Sequence, residues 1–250
     1  TIPWEVTTAL KVPELVKNHT EFEGTALYTL TFVLAMNKAK YDSLPDDLKA
    51  VIDAKDRGLP VKLGLEVDFM PESIEAVLEF LEPYPWDFLI GSIHWIGGWS
   101  VDHPGASYEF QRRGGRQAYE DYFELETQLA ASGAVDVLAH TDVVKVHGDV
   151  PDASPRDLYE EVVAAAAASG TAVEVSSSGL HKPIAEIYPA PPMLEMFQAA
   201  GVGITLASDA HEPAHCGRDV EALVTAAQSA GYGYHLVFDQ RIAAETLLPV

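Results

Sequence analysis

From about residue 61 onward, the hydrophobic positions along the chain change period again and again. The short apolar runs VKLGLEVDF (61–69), DFLIGSIHW (87–95), VDVLAH (135–140), TAVEVSSS (171–178) and GVGITLASDAH (201–211) have the length and β-branched content of strands, with a sixth at YHLVF (234–238). Between them lie stretches with apolar residues every three or four positions: PESIEAVLEFLEP, the long YEFQRRGGRQAYEDYFELETQLAASG, SPRDLYEEVVAAAAASG, APPMLEMFQAAG and RDVEALVTAAQSAG. Several open on Pro, Ser or Asp and close on Gly, as helix capping favours. Strand and helix in alternation predict an α/β fold with a mainly parallel sheet or barrel.

The ends of the apolar runs carry polar chemistry. Glu66 closes VKLGLE, His94 closes FLIGSIH, His140 closes VDVLAH, and Asp209 with His211 closes ITLASDAH. Carboxyl ends of parallel strands gather on one rim, where active sites of such folds sit. In an extended strand a spacing of two points Asp209 and His211 the same way. Imidazole with carboxylate and no thiolate suits zinc, manganese or iron. An ion of this kind lowers the pKa of bound water and clamps a phosphoryl oxygen. His19, His103, His147, His181, His215 and His235 lie away from strand ends and read as surface or structural residues. Asp142, two beyond His140, is either a supporting, proton-shuttling carboxylate or a turn cap.

Composition narrows the partners. Sixteen Lys and Arg against 38 Asp and Glu give a formal charge of -22, which repels phosphate backbones and anionic membranes, so neither nucleic acid nor a membrane is expected as a partner. The single Cys216 excludes an internal disulfide framework or a multi-cysteine metal site, and suits the reducing cytoplasm. No window approaches the roughly 18 uninterrupted apolar residues of a membrane span, and TIPWEVTTAL lacks the regions of a signal peptide.

From about residue 55 to 250 the chain resembles the PHP family, and within it the histidinol-phosphatase branch. LGLEVDF, DFLIGSIHWIGGW, VDHP, VDVLAHTD, SGLHKPIAEIYPAP and ASDAHEP stand in family order. The resemblance implies a distorted (β/α)7 barrel and a trinuclear site of zinc, manganese or iron. It also implies hydrolysis of a small phosphomonoester, L-histidinol phosphate, to L-histidinol. Glu66, His94, His140, Asp209 and His211 match family metal ligands. His181 takes the place of a phosphate-gripping arginine and is, with Asp142, the expected catalytic pair, although an imidazole cannot form the bidentate fork. The His-x-His pair of the family's first strand and the Thr-Asp-His of its second are missing from this sequence. The barrel is therefore expected to lack its first two strands, to keep one intact ion site (Glu66, His94 and His140) and to turn over weakly. Two exposed sheet edges would then invite self-association.

Residues 1–54 resemble part of a TRAP-transporter periplasmic solute-binding protein, on the cue MNKAKYDSLPDDLKAVID. A short helix, an apolar strand and a capped helix are expected there, with no ligand set and no two-lobed solute cleft. The chain thus reads as a chimera of segments 1–54 and 55–250, joined near AVIDAKDRGLPVK.

Overall fold

In the computed structural model, residues 61–82 and 86–249 are described; segment 1–54 and the elements expected in it lie outside them. In chain order the elements are β1 (Gly64–Asp68), α1 (Ile74–Leu81), β2 (Phe88–Ser92), β3 (Trp95–Ile96), β4 (Trp99–Ser100), α2 (Tyr108–Arg113) and α3 (Gly115–Ser132). There follow β5 (Val137–Leu138), α4 (Arg156–Ser169), β6 (Ala172–Ser176), α5 (Pro191–Ala199), β7 (Ile204–Ala207), α6 (Val220–Ala230), β8 (Tyr234–Asp239) and β9 (Ile242–Leu247).

Five of the six apolar runs pair into one parallel sheet of order β1-β2-β5-β6-β7, as the α/β alternation predicts. Strand alternation sorts its two faces. Leu65, Val67, Leu89, Leu138, Val173, Val175 and Ile204 join the large core cluster with Tyr122, Phe123 and Leu129 of α3, Val162 of α4 and Phe197 of α5. Ile90, Val137, Ala139 and Ala172 belong to a second, smaller cluster closed by Phe238 of β8.

Three local expectations fail, each for a visible reason. The stretch from Tyr108 to Gly133 is two helices, because Gly114 takes φ 90 and ends the first. Two adjacent glycines, each costing a helix about 0.8–1.0 kcal/mol relative to alanine, make that the weakest point of the stretch. The run YHLVF leaves the parallel sheet and forms an antiparallel hairpin with β9, which the sequence pattern did not announce. The hairpin turns on Gln240 and Arg241, both at positive φ (49 and 66), without the Asn-Gly or Asp-Gly that usually marks such a turn. Tertiary contacts hold it instead: Arg241 N–H donates to Asp87 O at 2.8 Å, Gln240 N–H to Asp87 Oδ1 at 3.2 Å, and Arg241 pairs with Asp136. Finally, β7 stops at Ala207, so Asp209 and His211 are not strand residues; Asp209 lies at φ 47.

The hairpin tip is thus fixed to residues that precede β2 and β5, leaving the opposite, carboxyl ends of the strands open for chemistry. Among the described residues no helix is long and apolar enough to cross a membrane.

Candidate metal centre

Glu66 and Asp68 sit two apart on β1 and so share a face. The β1–β2 register sets Asp68 opposite Ser92, which carries His94 alongside: His94 Nδ1 lies 2.6 Å from Asp68 Oδ1, and Ser92 Oγ donates to the same oxygen at 3.3 Å. With Asp68 taking the Nδ1–H, His94 presents Nε2 as a lone pair. His140 follows β5 at φ 21, and its backbone N–H donates to Glu174 Oε1 on β6 at 3.4 Å.

These strand ends bring three ligand atoms together. His94 Nε2 and His140 Nε2 are 3.2 Å apart, while Glu66 Oε1 lies 3.6 Å from the first and 3.4 Å from the second. A tetrahedral cation with bonds of about 2.0–2.1 Å holds its ligand atoms roughly 3.3–3.4 Å apart, so the triangle has the size of one face of such a site. Glu66 Oε1 and His140 Nδ1 are buried and have no hydrogen-bond partner among the described residues. A buried carboxylate oxygen turned toward two imidazole nitrogens calls for positive charge between them.

The titration of the group says the same. Burial pushes the Glu66 carboxyl up, but the close approach of His140, then of His94 and Ser92, outweighs it and holds it at about 2. Burial pulls His140 down, and Glu66, then Glu174 and Asp209, push it up to about 10. Burial likewise opposes protonation of His94, yet its bond to Asp68 leaves it above the ordinary imidazole value. Glu174 is pushed up to about 7 by burial, with Glu66 and Asp209 adding to the effect and His140 opposing it. Without a metal, protons supply the positive charge that a divalent ion would supply when bound.

Glu66, His94, His140, Asp209 and His211 all line one cavity of about 860 Å³. Asp209 and His211 form their own pair, with His211 Nε2 3.3 Å from Asp209 Oδ1, and stand outside the three-atom group. The His211 side chain is 73% exposed.

Asp142 does not fit the role of a proton shuttle. It is fully buried and absent from the cavity wall, and its Oδ2 accepts from Ala190 N–H and Lys145 Nζ, both at 2.8 Å. Nor does its side chain cap the turn that it opens; it ties that turn to the residue before α5. His181 is also absent from the wall: its Nε2 lies 2.5 Å from Asp219 Oδ2, and Nδ1 accepts from Arg218 Nη2 at 2.6 Å. Its neighbours Ser178 and Lys182 line the cavity instead. So does His103, which the sequence placed among the structural histidines; its Nδ1 accepts from Gly105 N–H at 3.1 Å. Asp68, Glu174, Ser178 and Lys182 were missed, although Asp68 was signalled by its two-residue spacing from Glu66.

A model of the PHP domain matches residues 43–178. A probable histidinol-phosphatase of Deinococcus radiodurans is 34% identical over 184 residues, which span 72% of this chain and 70% of that protein. Two solved structures share the fold. The histidinol phosphate phosphatase of Lactococcus lactis, complexed with zinc, L-histidinol and phosphate, has a TM-score of 0.66 at 21% identity, covering 84% of this chain and 80% of that one. A histidinol phosphatase structure from Listeria monocytogenes has a TM-score of 0.64 at 19% identity, covering 75% and 77%. The family match begins at residue 43, ahead of the join expected near 55, and the resemblance of residues 1–54 to a TRAP solute-binding protein is not borne out.

Proposed function

This chain belongs to the PHP-domain family, and on that premise we propose that it is a metal-dependent phosphomonoesterase hydrolysing L-histidinol phosphate to L-histidinol and phosphate. The observation that carries the reading is the triangle of Glu66 Oε1, His94 Nε2 and His140 Nε2, sized for a divalent cation at the wall of an open cavity. A zinc, manganese or iron ion held there supplies Lewis acidity toward a phosphoryl oxygen and toward water.

The protein's own residues do the rest. Asp68 keeps the His94 proton on Nδ1, so that Nε2 stays available. Asp209 and His211, across the same cavity, serve as further ligands at its mouth. Lys182 and Ser178 contact the phosphoryl oxygens, and Trp95 and Tyr188 wall the space for the rest of the substrate. Lysine offers a point charge where arginine would offer a fork, so the phosphate grip is weaker than a bidentate one.

The five-stranded sheet is read as part of a seven-stranded barrel without its first two strands, and the catalytic unit is assigned to residues 55–250. One compact ligand group among the described residues supports about one tightly held ion and reduced turnover. In this reading β1 and β7, the outer strands of the described sheet, are where copies associate, which light scattering would detect as a mass above that of one chain. The free, exposed thiol of Cys216 suits the cytoplasmic setting we assign.

The test is phosphate release from L-histidinol phosphate with metal content measured on the same sample. Activity that disappears with a chelator and returns with zinc or manganese supports the phosphatase. Release that ignores the chelator overturns it. Bound metal without release favours the second reading, a metal-binding domain with little turnover, to which the three-ligand group alone also conforms.

A further inference from the structure

The two histidines of the centre are supported unequally. His94 has Asp68 on its Nδ1, whereas the buried His140 Nδ1 has no hydrogen-bond partner among the described residues. Helix α3 carries Tyr122 and Glu126 four residues apart, hence on one face, and both are 0% exposed. Neither oxygen of Glu126 nor the Tyr122 hydroxyl has a partner among the described residues.

A fully buried carboxyl group without a hydrogen bond is an expensive thing to keep in a helix whose inward positions include Tyr119, Phe123 and Leu129. Burial pushes the Glu126 carboxyl well above its ordinary value, with the His140 imidazole and then the Tyr122 hydroxyl acting against it. Helix α3 packs against the turn Val143–Lys145 that follows His140, so a ring nitrogen and a carboxyl group, each buried without a hydrogen bond among the described residues, belong to adjoining parts of the core. A merely structural carboxylate would be bonded to backbone or to a cation, as Asp142 is to Ala190 and Lys145.

We propose that Glu126 is a positioning residue for His140: an oxygen of its carboxyl group accepts the Nδ1–H, directly or across one water, and so aims Nε2 at the metal. This rests on the reading of His140 as a ligand. Glu126 then does from the helix layer what Asp68 does for His94 from the strand. The two carboxylates fix both imidazoles in the same tautomer, and each raises the basicity of the ring it supports.

The experiment uses the full chain with cobalt(II) as the metal probe, in the Glu126→Gln, Glu126→Leu and Glu66→Gln variants. Cobalt affinity is measured by chelator competition, the ligand field by visible absorption, and the metal-free fold by thermal melting. Glu126→Gln, which keeps one acceptor oxygen, is expected to weaken cobalt binding about tenfold, and Glu126→Leu about a hundredfold, with altered cobalt spectra in both. The metal-free Glu126→Leu protein is expected to melt higher than the parent, because a buried polar group without a hydrogen bond has been removed. Parental cobalt affinity and spectrum in a folded Glu126→Leu protein would overturn the proposal, as would a lower melting temperature with undiminished affinity. Glu66→Gln separates the two levels: if it keeps its cobalt, the metal centre itself is misassigned. If it loses cobalt while both Glu126 variants keep theirs, only the role of Glu126 fails.

Discussion

Two sets of ligand residues reach the same cavity, and they are built differently. Glu66, His94 and His140 stand on or just beyond paired strands, with one nitrogen oriented by Asp68 and every ligand atom within 4.8 Å of the others. Asp209 and His211 follow a strand that has already ended at Ala207, and their side chains approach each other, with His211 largely exposed. The sheet register thus places the first set before any ion arrives. The second set has to be gathered by what it binds. Preorganisation, rather than residue type, distinguishes them.

The largest expected effect breaks the comparison outright. Glu66→Gln and His140→Ala should each reduce bound metal from about one ion per chain to near zero after desalting, whereas His211→Ala should keep the ion and lose turnover. Metal content by plasma mass spectrometry beside phosphate release reads both halves. Equal loss of metal from His211→Ala would place the exposed pair in the same site as the trio.

Next in size is the response to pH, which separates a centre filled by protons from one filled by metal. His140 is raised to about 10, so its contribution to metal-free stability is complete below the ordinary 6.5 and is lost as pH rises through 10. Glu174, raised to about 7, adds a loss in the same direction between 4.5 and 7. Glu66, held at about 2, works at the other end: its contribution is present above 4.5 and lost as pH falls through 2. Metal binding displaces the His140 proton, so affinity should rise up to about tenfold per pH unit as pH increases toward 10. Melting curves with and without zinc at about pH 6 and about pH 9 should therefore diverge as pH rises. Parallel curves would mean that the ion does not replace a proton on this histidine.

A smaller effect sharpens the contrast from within the trio. Asp68→Asn removes the charge that orients His94 without touching a ligand, and should weaken metal binding about 10- to 100-fold while leaving the stoichiometry at saturation unchanged. Chelator competition checks it, and an unchanged affinity would mean that sheet register alone positions His94.

Much of this arrangement was legible in the chain before folding was considered. Ligand types at the ends of four apolar runs, and the alternation of those runs with helical stretches, pointed to the rim of a parallel α/β sheet. What could not be read was convergence. Asp209 and His211 have the spacing of two neighbours on a strand face, but a positive φ at Asp209 takes them out of the strand, a break that aspartate tolerates but marks far less clearly than glycine would. Asp142 was singled out by nearness to His140 and His181 by its place in a family motif, yet Lys145, Arg218 and Asp219, contacts set by tertiary packing, hold them away from the cavity. The β8–β9 turn was hidden for a similar reason, since Asp87 and Asp136 fix what its own residues do not favour.

The displacement of His181 leads to the smallest and most local test. If Lys182 is the cavity's phosphate contact, Lys182→Ala should raise KM for L-histidinol phosphate about tenfold with a lesser change in kcat, because a charge-assisted hydrogen bond is lost in ground and transition states alike. His181→Arg, which restores the family's residue at its own position, should not lower KM, since that side chain is directed between Arg218 and Asp219 rather than into the cavity. Steady-state kinetics on the two variants decide between them. A KM that falls with His181→Arg and ignores Lys182→Ala would show that the loop after β6 turns its other face to the substrate, and the phosphate contact would return to residue 181.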